Sequence, residues 1–387
     1  MQDGGGSPRI RIVSGLREIK AAEWDRCAGT DNPFVSHAFL EALEASGSAT
    51  AQTGWLPQHM VAEDAKGHLA GAIPLYLKSH SYGEYVFDHG WAQAYENAGG
   101  RYYPKLQVAV PFTPVTGPRI LLRPDAPGDT AGRLIAALIT AARTHDISSI
   151  HVTFPTRAEW ETLGAAGFLL RMDQQFHWDN RGYSSFDAFL ESLTARKRKQ
   201  IKRERRDALA DGMEIETLTG YALEGRHWDA FYRLYRATSD RKWGEAYLTR
   251  EFFDLLHERM ADRVVLVMAR HGKRYVAGAL NLLGGDTLYG RNWGSAGEFP
   301  FLHFEVCYYR ALDFAIERGL KRVEAGAQGA HKIQRGYLPS ETYSAHWIRD
   351  PSFARAVDNF LAREREARAE EMAELEEALS PFKREVE

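Results

Sequence analysis

Two short stretches in the second half of the chain concentrate side chains that can exchange protons. The first, Leu302–Tyr309, contains His303, Glu305 and Tyr308 where a strand is expected to lead into a helix. His303 is a candidate general base, because an unperturbed imidazole titrates near neutral pH. Glu305 is a candidate catalytic carboxylate, and Tyr308 is a candidate binding residue. Structural explanations stay open, since a buried histidine is common and the helix dipole stabilises a carboxylate near a helix N-terminus.

The second stretch, Glu324–Lys332, follows a predicted central strand. Ligands of open α/β sheets bind at the carboxyl ends of strands, and glycines let the backbone approach a ligand closely. Four polar side chains lie among small residues here, and Arg335 adds a charge suited to an anionic substrate group. The alternative is an ordinary polar loop. The candidate catalytic residues are Glu324 and His331, and the candidate binding residues are Gln328, Lys332 and Arg335.

A basic helix is predicted over residues 194–207. Eight lysines and arginines and one glutamate occupy Arg196–Arg206. Because like charges one helical turn apart repel, helix stability does not favour this composition. The functional interpretation is that the helix binds phosphate groups of tRNA or of a nucleotide-linked precursor, with Lys197 and Lys199 as binding residues. The structural interpretation is a solvated face, or a helix that pairs with the acidic stretch Glu364–Glu377.

An aromatic segment, His80–Tyr103, lies in the first half of the chain. Tyrosine and tryptophan suit the wall of a half-apolar pocket, although most aromatic residues in such a run belong to a core. Tyr85 and Asp88 are the candidate binding residues of this segment. The 14 histidines are scattered without paired ligands, so no metal site is predicted.

The elements that position these residues are predicted from an internal repeat. The repeat appears as three matched pairs of segments in the same order in both halves. In the first pair, each segment has the pattern of a strand, a turn and a second strand. In the second pair, each segment is a helix that leads into an apolar strand. In the third pair, Gly, Leu, His and Trp recur at identical spacing. The pairs are Val61–Leu75 with Val267–Leu282, Leu134–Phe154 with Val306–Ala325, and Gly167–Trp178 with Gly336–Trp347.

Each half therefore reads as an α/β unit with helices covering a sheet. The predicted organisation is a leader and first strand over 1–24, a first domain over 25–180, a second domain over 181–350 and a C-terminal helix and tail over 351–387. Phe360–Leu379 is predicted to be a surface helix with interleaved charges.

The composition excludes several classes of protein. A net charge of -3 provides no overall attraction to nucleic acid or to an anionic membrane. Two distant cysteines, Cys27 and Cys307, form neither a disulfide framework nor a metal motif, which favours a reducing compartment. The absence of an apolar run long enough for a transmembrane segment, and of a signal peptide, predicts a cytoplasmic protein.

The duplicated pattern with a basic helix opening the second half resembles the FemXAB enzymes, which attach amino acids from aminoacyl-tRNA to peptidoglycan precursors. It is more similar to the FemAB-like family of predicted N-acyltransferases. The motifs that carry this resemblance extend over about residues 20–365. They include His80–Asp88, Tyr102–Lys105, Val110–Gly117, Leu288–Gly294, Leu302–Tyr309 and Glu324–Lys332.

The resemblance implies two tandem acetyltransferase (GNAT) domains and transfer of an acyl or aminoacyl group to an amine, such as that of a peptidoglycan-related precursor. Arg291–Ala296 matches the R-x-x-G-x-A pattern with which GNAT enzymes hold the pyrophosphate of coenzyme A, as a turn of free N–H groups before a helix. The binding residues it implies are Arg291, Asn292, Trp293 and Gly294.

Two co-substrates stay open, acyl-CoA and aminoacyl-tRNA, and no permanently bound cofactor is expected. We expect the second half to carry the chemistry and the first half to help bind the acceptor. The alternative is a non-catalytic protein that binds a ligand or RNA on a degenerate GNAT scaffold. The oligomeric state is open.

Overall fold

The structure is a computed structural model that describes residues 8–242, 245–326 and 329–383. The chain forms two compact units, each built from two segments. The first unit comprises Met1–Asp173 and Thr342–Arg368, and the second unit comprises Gln174–Glu341 and Ala369–Glu387. Among the helices of the described residues, none has the length and apolar character needed to span a membrane.

The first half of the chain alternates strands with helices. Its elements are β1 (Arg9–Val13), α1 (Ala21–Ala28), α2 (His37–Ala45), β2 (Trp55–Pro57), β3 (His59–Glu63), β4 (Leu69–Ile73), β5 (Leu75–Lys78), α3 (His89–Asn97), β6 (Lys105–Val108), β7 (Leu121–Leu122), α4 (Thr130–Thr144), β8 (Ser149–Thr153), α5 (Arg157–Ala165) and β9 (Leu169–Asp179).

Two groups of strands lie in the first unit. Strands β1, β3, β4 and β7 form one antiparallel sheet in the order β1-β3-β4-β7. The other group has the order β15-β8-β6-β5-β2, where β15 comes from near the C-terminus, and only β6 and β8 are parallel. Helix α4 packs against the sheets through Leu134, Ile135 and Leu138, which share one helical face and are buried with Ile150 and Val152 of β8.

The second half of the chain contains the remaining elements. They are α6 (Phe186–Ser192), α7 (Ala195–Ala208), β10 (Met213–Thr219), α8 (Gly225–Lys242), α9 (Arg250–Met260), β11 (Val264–His271), β12 (Arg274–Gly284), β13 (Thr287–Ser295), α10 (Leu302–Phe304), a π-helical turn (Glu305–Tyr309), α11 (Arg310–Glu317), β14 (Arg322–Glu324), β15 (Leu338–Ile348) and α12 (Pro351–Leu379).

The strands of the second unit repeat the arrangement of the first. Their order is β10-β11-β12-β13-β14-β9, and only β13 and β14 are parallel. In each unit a parallel pair of strands is flanked on one side by an antiparallel strand from the Gly-Leu-His-Trp repeat. That strand is β15 beside β8 and β9 beside β14. The predicted repeat is therefore confirmed as a repeat of topology.

The compact units differ from the consecutive domains predicted at 25–180 and 181–350. Strand β9 belongs to the second unit from Gln174 onward, and β15 belongs to the first unit from Thr342 onward. The final strand of each half thus completes the sheet of the unit formed mainly by the other half. A repeat in the sequence locates equivalent segments, but it carries no information about which copy's sheet a strand joins.

Both helices predicted from charge patterns are present. The basic helix is α7, which begins directly after Thr194. The C-terminal helix α12 starts at Pro351, earlier than the predicted Phe360. Proline is favoured in the first turn of a helix, and the Asp350 carboxylate accepts hydrogen bonds from the backbone N–H groups of Ser352 and Phe353 at 2.9 and 2.7 Å.

Gly294 on β13 lets α8 approach the sheet closely. A Cβ atom at Gly294 would lie 2.4 Å from the backbone of Leu234 and Tyr235 on α8. We expect Gly294→Ala to lower the free energy of unfolding by about 1–3 kcal/mol, because the helix must move away from the strand. Gly297→Ala is the matched control, since its Cβ would meet no atom closer than 3.8 Å. Chemical denaturation of both variants measures the difference, and equal stabilities would contradict this explanation.

Candidate active site

Strands β13 and β14 of the second unit separate after a short parallel pairing. They pair from Thr287 with Arg322 to Tyr289 with Glu324. Beyond this point β13 stays paired with β12 as far as Ser295, whereas the N–H of Ala325 bonds to the carbonyl oxygen of Phe176 at 3.1 Å. A bulge accompanies the separation, because Leu280 pairs with Asn292 and Asn281 pairs with Gly290, which leaves Arg291 as the extra residue of β13.

A row of polar side chains crosses the sheet at the point of separation. Tyr289, Glu324 and His177 are register partners on β13, β14 and β9, so their side chains lie on the same face. All three are buried. The opposite face at this level carries Leu288, Val323 and Trp178, which belong to the apolar core.

Glu324 and His177 form a buried pair with unused hydrogen-bonding capacity. The distance between Glu324 Oε2 and His177 Nε2 is 3.8 Å, and within the described residues neither atom has a hydrogen-bond partner. Burial raises the pKa of Glu324 to about 7, with Arg322 opposing and Asp179 adding to the shift. Burial also lowers the pKa of His177 to about 3, so its ring is neutral. Glu324 can therefore take up or release a proton near neutral pH.

Lys332 holds the chain that follows Glu324. Its ammonium donates to the carbonyl oxygens of Ala325 and Gly326 at 2.6 and 3.0 Å and lies 5.6 Å from the centre of the Phe176 ring. Burial lowers the pKa of Lys332 to about 8, and Cys307 partly opposes this shift. Because both carbonyl groups directly follow Glu324, Lys332 stabilises the end of β14.

Four of the predicted residues come together at the π-helical turn, which contains one of them, Tyr308. The hydroxyl of Tyr308 and Nε2 of His331 are 3.2 Å apart, and the His303 ring lies 5.2 Å from the Tyr308 ring and 5.0 Å from the Trp293 ring. Burial lowers the pKa of His331, and the charges of Arg335 and Lys332 add to this. π-helical turns are rare and are frequently found at functional sites.

The sequence as a whole matches a family model. The match extends over residues 15–384, and the family, FemAB-like, is described as acting in peptidoglycan biosynthesis and recognition. The chain belongs to the FemAB-like family. No curated protein matches it significantly.

Solved structures similar to this FemAB-like protein share its fold at low sequence identity. FemX is 13% identical with a TM-score of 0.54, covering 88% of this chain and 98% of FemX. L-PGS from Bacillus licheniformis is 9% identical with a TM-score of 0.51, covering 86% and 98%. The C-terminal domain of a lysylphosphatidylglycerol synthetase from Agrobacterium fabrum is 10% identical with a TM-score of 0.54, covering 89% and 95%. The predicted fold class, α/β with two tandem GNAT domains and a C-terminal charged helix, is confirmed.

Glu305 of the FemAB-like protein is an internal counter-ion. Its side chain is fully buried and receives two hydrogen bonds from Arg205 of the basic helix, each 3.0 Å long. Nε of Arg310 lies 2.8 Å from Oε1 of Glu305. A carboxylate held on both oxygens by guanidinium groups has little capacity left to accept a substrate proton. The geometry therefore favours a structural role over the predicted catalytic one, although as a counter-ion rather than as a helix cap.

Arg335 is also committed internally. It is buried and donates to both carboxylate oxygens of Glu204 on α7, at 2.8 and 2.9 Å, and its guanidinium lies 3.4 Å from the centre of the Phe304 ring. The Tyr309 hydroxyl bonds to the same carboxylate. The predicted role of Arg335 in binding an anionic substrate group is not supported by this arrangement, because its charge is already neutralised by Glu204.

The predicted phosphate-binding turn at Arg291–Ala296 is not formed. Residues Arg291, Asn292, Trp293 and Gly294 lie within strand β13, where Trp293 and Gly294 pair with Ala279 and Gly278 of β12. Backbone N–H groups that point alternately to the two edges of a strand cannot converge on one phosphate. The R-x-x-G-x-A pattern therefore occurs here in the residues of a strand and does not mark a phosphate-binding turn. Gln328 lies outside the described residues.

The two lysines predicted on α7 have different surroundings. Lys197 is half-buried and donates to the side-chain oxygen of Gln334 at 2.8 Å, and burial together with Arg196 lowers its pKa. Lys199 is exposed. Arg205 of the helix, which is partly buried, pairs with Glu305 and Asp313 rather than with the C-terminal acidic stretch.

The remaining two predicted residues lie in the first unit. Asp88 is buried and accepts hydrogen bonds from Lys105 at 2.5 Å and Tyr102 at 2.7 Å. Tyr85 is partly exposed and has a positive φ of 60°. Within the described ranges, no group of three or more His, Cys, Asp or Glu side chains could hold a metal ion.

His177 and Tyr289 were missed by the sequence analysis. The signal for His177 was present, because it is the histidine of the Gly-Leu-His-Trp repeat and the repeat pointed to equivalent strands. Its position beside Glu324 depends on pairing between β9 and β14, which are separated by more than a hundred residues. No local pattern reports such a pairing.

Proposed function

We propose that this protein transfers an acyl or aminoacyl group from an activated ester or thioester to an amine, with Glu324 as the base that deprotonates the amine. The observation that carries the proposal is a buried carboxylate at the point where β13 and β14 separate, with one oxygen that has no hydrogen-bond partner among the described residues. Its pKa of about 7 lets it remove a proton from an ammonium group at neutral pH. The family's role in peptidoglycan biosynthesis and recognition supports an amine of a peptidoglycan precursor as the acceptor.

The proposed reaction forms one bond, breaks another and moves protons at the acceptor and at the leaving group. The acceptor ammonium gives a proton to Glu324, and the free amine forms a C–N bond with the carbonyl carbon of the donor. The C–S or C–O bond to the leaving group then breaks, the bound nitrogen loses its extra proton to solvent to give the neutral amide, and the thiolate or ribose oxygen takes a proton. Tyr308, hydrogen bonded to His331, is the candidate acid for this last transfer. Backbone N–H groups on the edge of β13 that β14 does not cover beyond Tyr289 are the candidate donors to the developing oxyanion.

A transfer assay with both donor classes tests the proposal. The full chain is incubated with radiolabelled acetyl-CoA or alanyl-tRNA and with a nucleotide-linked muramyl peptide that carries a free lysine amine. We expect a labelled amide with one donor class and no product when the acceptor amine is blocked by acetylation. Binding of a donor without any transfer, by protein that melts cooperatively, would support the non-catalytic alternative and contradict the proposal.

The exposed basic stripe of α7 distinguishes the two donor classes. Arg196, Lys199 and Arg203 are exposed and recur at intervals of three and four residues, which places them on one helical face. If tRNA is the donor, we expect the double variant Lys199→Glu and Arg203→Glu to bind tRNA at least about tenfold more weakly. The dependence of log affinity on log salt should also fall by about two, one for each lost phosphate contact.

The exposed Lys273 in the turn between β11 and β12 provides the control for this charge reversal. Lys273→Glu should leave tRNA binding and its salt dependence unchanged. Binding of acetyl-CoA should be the same in all three proteins, because α7 is not proposed to hold it. Equal loss of tRNA binding in the Lys273 variant would show that only net charge matters and would contradict a tRNA site on α7.

A further inference from the structure

One sheet face of the first unit is polar although it is buried. Side chains alternate between the two faces of a strand. Leu106, Ile150 and Ala345 on β6, β8 and β15 belong to the apolar core. The residues that alternate with them point to the other face and are almost entirely inaccessible to solvent. These are Tyr76, Lys78, Lys105, Gln107, Ser149, His151, Thr153, Ser344 and His346, each 3% exposed or less.

Lys105 is the centre of this polar face. Its ammonium donates to Ser81 Oγ at 2.7 Å, to Glu84 Oε2 at 2.7 Å and to Asp88 Oδ2 at 2.5 Å. The hydroxyl of Tyr102 donates to the same oxygen of Asp88. All three hydrogens of the ammonium are therefore used, which ties the segment between β5 and α3 down onto β6.

A histidine pair extends the network along the sheet. Nδ1 of His151 and Nδ1 of His346 are 2.7 Å apart, and Nε2 of His151 is 2.8 Å from the Ser149 hydroxyl. Burial lowers the pKa of His151 to about 3, so the ring is neutral. In the topology of the repeat, Gln107, His151 and His346 occupy the places that Tyr289, Glu324 and His177 occupy in the second unit. The first unit thus has a polar row at the position of the candidate active site.

Several hydrogen-bond acceptors on this face have no partner in the described part of the chain. Oε1 of Glu84, Oδ1 of Asp88 and Oε1 of Gln107 are buried oxygens without a hydrogen bond. Lys78 forms an ion pair with Glu84 Oε1 at 3.8 Å, which is beyond hydrogen-bonding distance. Buried carboxylate and amide oxygens are expensive to leave unsatisfied, so a group that complements them must be rich in hydrogen-bond donors.

The cover of the polar face is a loop with exposed aromatic side chains. Glu84 and Asp88 belong to the loop of residues 79–88, between β5 and α3. Tyr82 and Phe87 of the same loop are 62% and 64% exposed. The loop supplies both carboxylates and contacts the sheet through Lys105 and through Lys78, which donates to the carbonyl oxygen of Tyr82 at 3.2 Å. A movement of the loop would therefore change the position of the two carboxylates relative to Gln107.

We propose that the polar face beneath the loop of residues 79–88 is a second ligand site, which binds a primary ammonium group through Glu84, Asp88 and Gln107. An ammonium has three N–H donors and no acceptor, so it can donate to the oxygens of Glu84, Asp88 and Gln107 that lack partners in the described residues, where the Tyr76 hydroxyl also lacks one. The site is independent of the transfer proposed for the second unit. It would recognise an amino group of a ligand rather than acylate it.

The charges of the site are compatible with a bound cation. Lys78 and Lys105 face Glu84 and Asp88, so an added ammonium would leave one excess positive charge. Burial lowers the pKa of Lys78 to about 7, with Glu84 opposing and Lys105 adding to the shift. Burial also raises the pKa of Glu84 to about 7. Lys78 or Glu84 can therefore give up a proton when the ligand binds, and we expect protons to be released on binding at pH 7.

Calorimetric titration of the full chain with ethanolamine and choline tests the proposal. Both probes are cations with a hydroxyethyl group, but only ethanolamine has N–H donors. We expect saturable binding of ethanolamine, at least about tenfold tighter than that of choline, because choline cannot donate the charged N–H hydrogen bonds. Measurements in phosphate and in HEPES buffer, neither of which has a primary amine, should give different heats, because protons are released.

Variants locate the binding in the first unit. Glu84→Gln should weaken ethanolamine binding at least about tenfold, and Gln107→Leu provides a second test if Glu84→Gln melts early. Glu324→Gln, in the second unit, should bind ethanolamine like the wild type even if it has lost transfer activity. Equal binding of choline would indicate an aromatic cation–π site instead, and no saturable binding of ethanolamine would also overturn the proposal.

Discussion

Replacing Glu324 with glutamine will reduce kcat/KM for acyl transfer by about 10²- to 10⁴-fold, the usual contribution of a general base. Glutamine keeps the shape of the side chain but cannot accept the proton of the acceptor ammonium. The rate of the wild-type protein should increase with pH through about 7, because Glu324 must be ionised to act. The residual activity of the variant should lack this limb. Steady-state rates between pH 5 and 9 measure both effects.

Glu324→Gln should lower activity but raise the stability of the folded protein above neutral pH. The raised pKa means that folded Glu324 holds its proton more tightly than the unfolded residue, so its contribution to stability is lost as pH rises from about 4.5 to about 7. Glu324→Gln should therefore be more stable than the wild type at pH 8, by about 1–3 kcal/mol, and this advantage should disappear below about pH 4.5. Urea unfolding at both values of pH provides the measurement.

Asp286→Asn is the matched control for Glu324→Gln. Asp286 is a largely exposed carboxylate in the turn that precedes β13, where it pairs with Lys321. Its substitution should change neither the activity nor the pH profile. The assignment of the base would be wrong if Glu324→Gln retained wild-type kcat/KM, or if Asp286→Asn caused a comparable loss.

Replacing Arg205 with methionine will destabilise the protein by about 3–5 kcal/mol, the effect of leaving a buried charge without its partner. Arg205 is the arginine of α7 that binds both oxygens of the fully buried Glu305, and it also contacts Asp313 at 2.6 Å. Arg310 alone would then remain beside Glu305. Arg205→Lys should recover only part of the loss, because an ammonium cannot form the two parallel hydrogen bonds.

A double-mutant cycle tests the structural role assigned to Glu305. In Arg205→Met combined with Glu305→Gln, the unpaired charge is removed, so the double variant should be more stable than Arg205→Met alone. The exposed Arg203 serves as the control, and Arg203→Met should change stability by less than about 0.5 kcal/mol. Glu305→Gln that abolished transfer without any change in melting temperature would instead support the catalytic role predicted from the sequence.

The candidate site was only partly predictable from the sequence. Glu324, His331 and Lys332 were identified from polar side chains after a strand, and this type of signal is local. The same reasoning also selected Glu305 and Arg335, because composition cannot distinguish a charged residue aimed at a substrate from one paired inside the protein. Arg205 and Glu204, which neutralise these two residues, lie about a hundred residues away or more.

In the first unit, local sequence patterns failed to identify residues that belong to the polar network. Asp88 was predicted to bind a ligand, but Lys105, His151 and His346, which surround or extend its network, were not selected. Each is unremarkable in its local sequence, since one polar residue within a short strand is common. They lie on one sheet face because of the pairing of β6, β8 and β15, in which His151 is the register partner of both Gln107 and His346 and Lys105 is two residues before Gln107.

By itself, the sequence determined the duplicated α/β plan, the basic and C-terminal helices and the family. These follow from hydrophobic periodicity, charge patterns and motifs that are read along the chain. Only the tertiary structure decided which charges are neutralised internally, where β13 and β14 part, and that β9 and β15 each complete a sheet formed mainly by the other half. Those outcomes depend on pairings between residues far apart in the sequence, and the burial that shifts the pKa of Glu324 exists only after the pairings have formed.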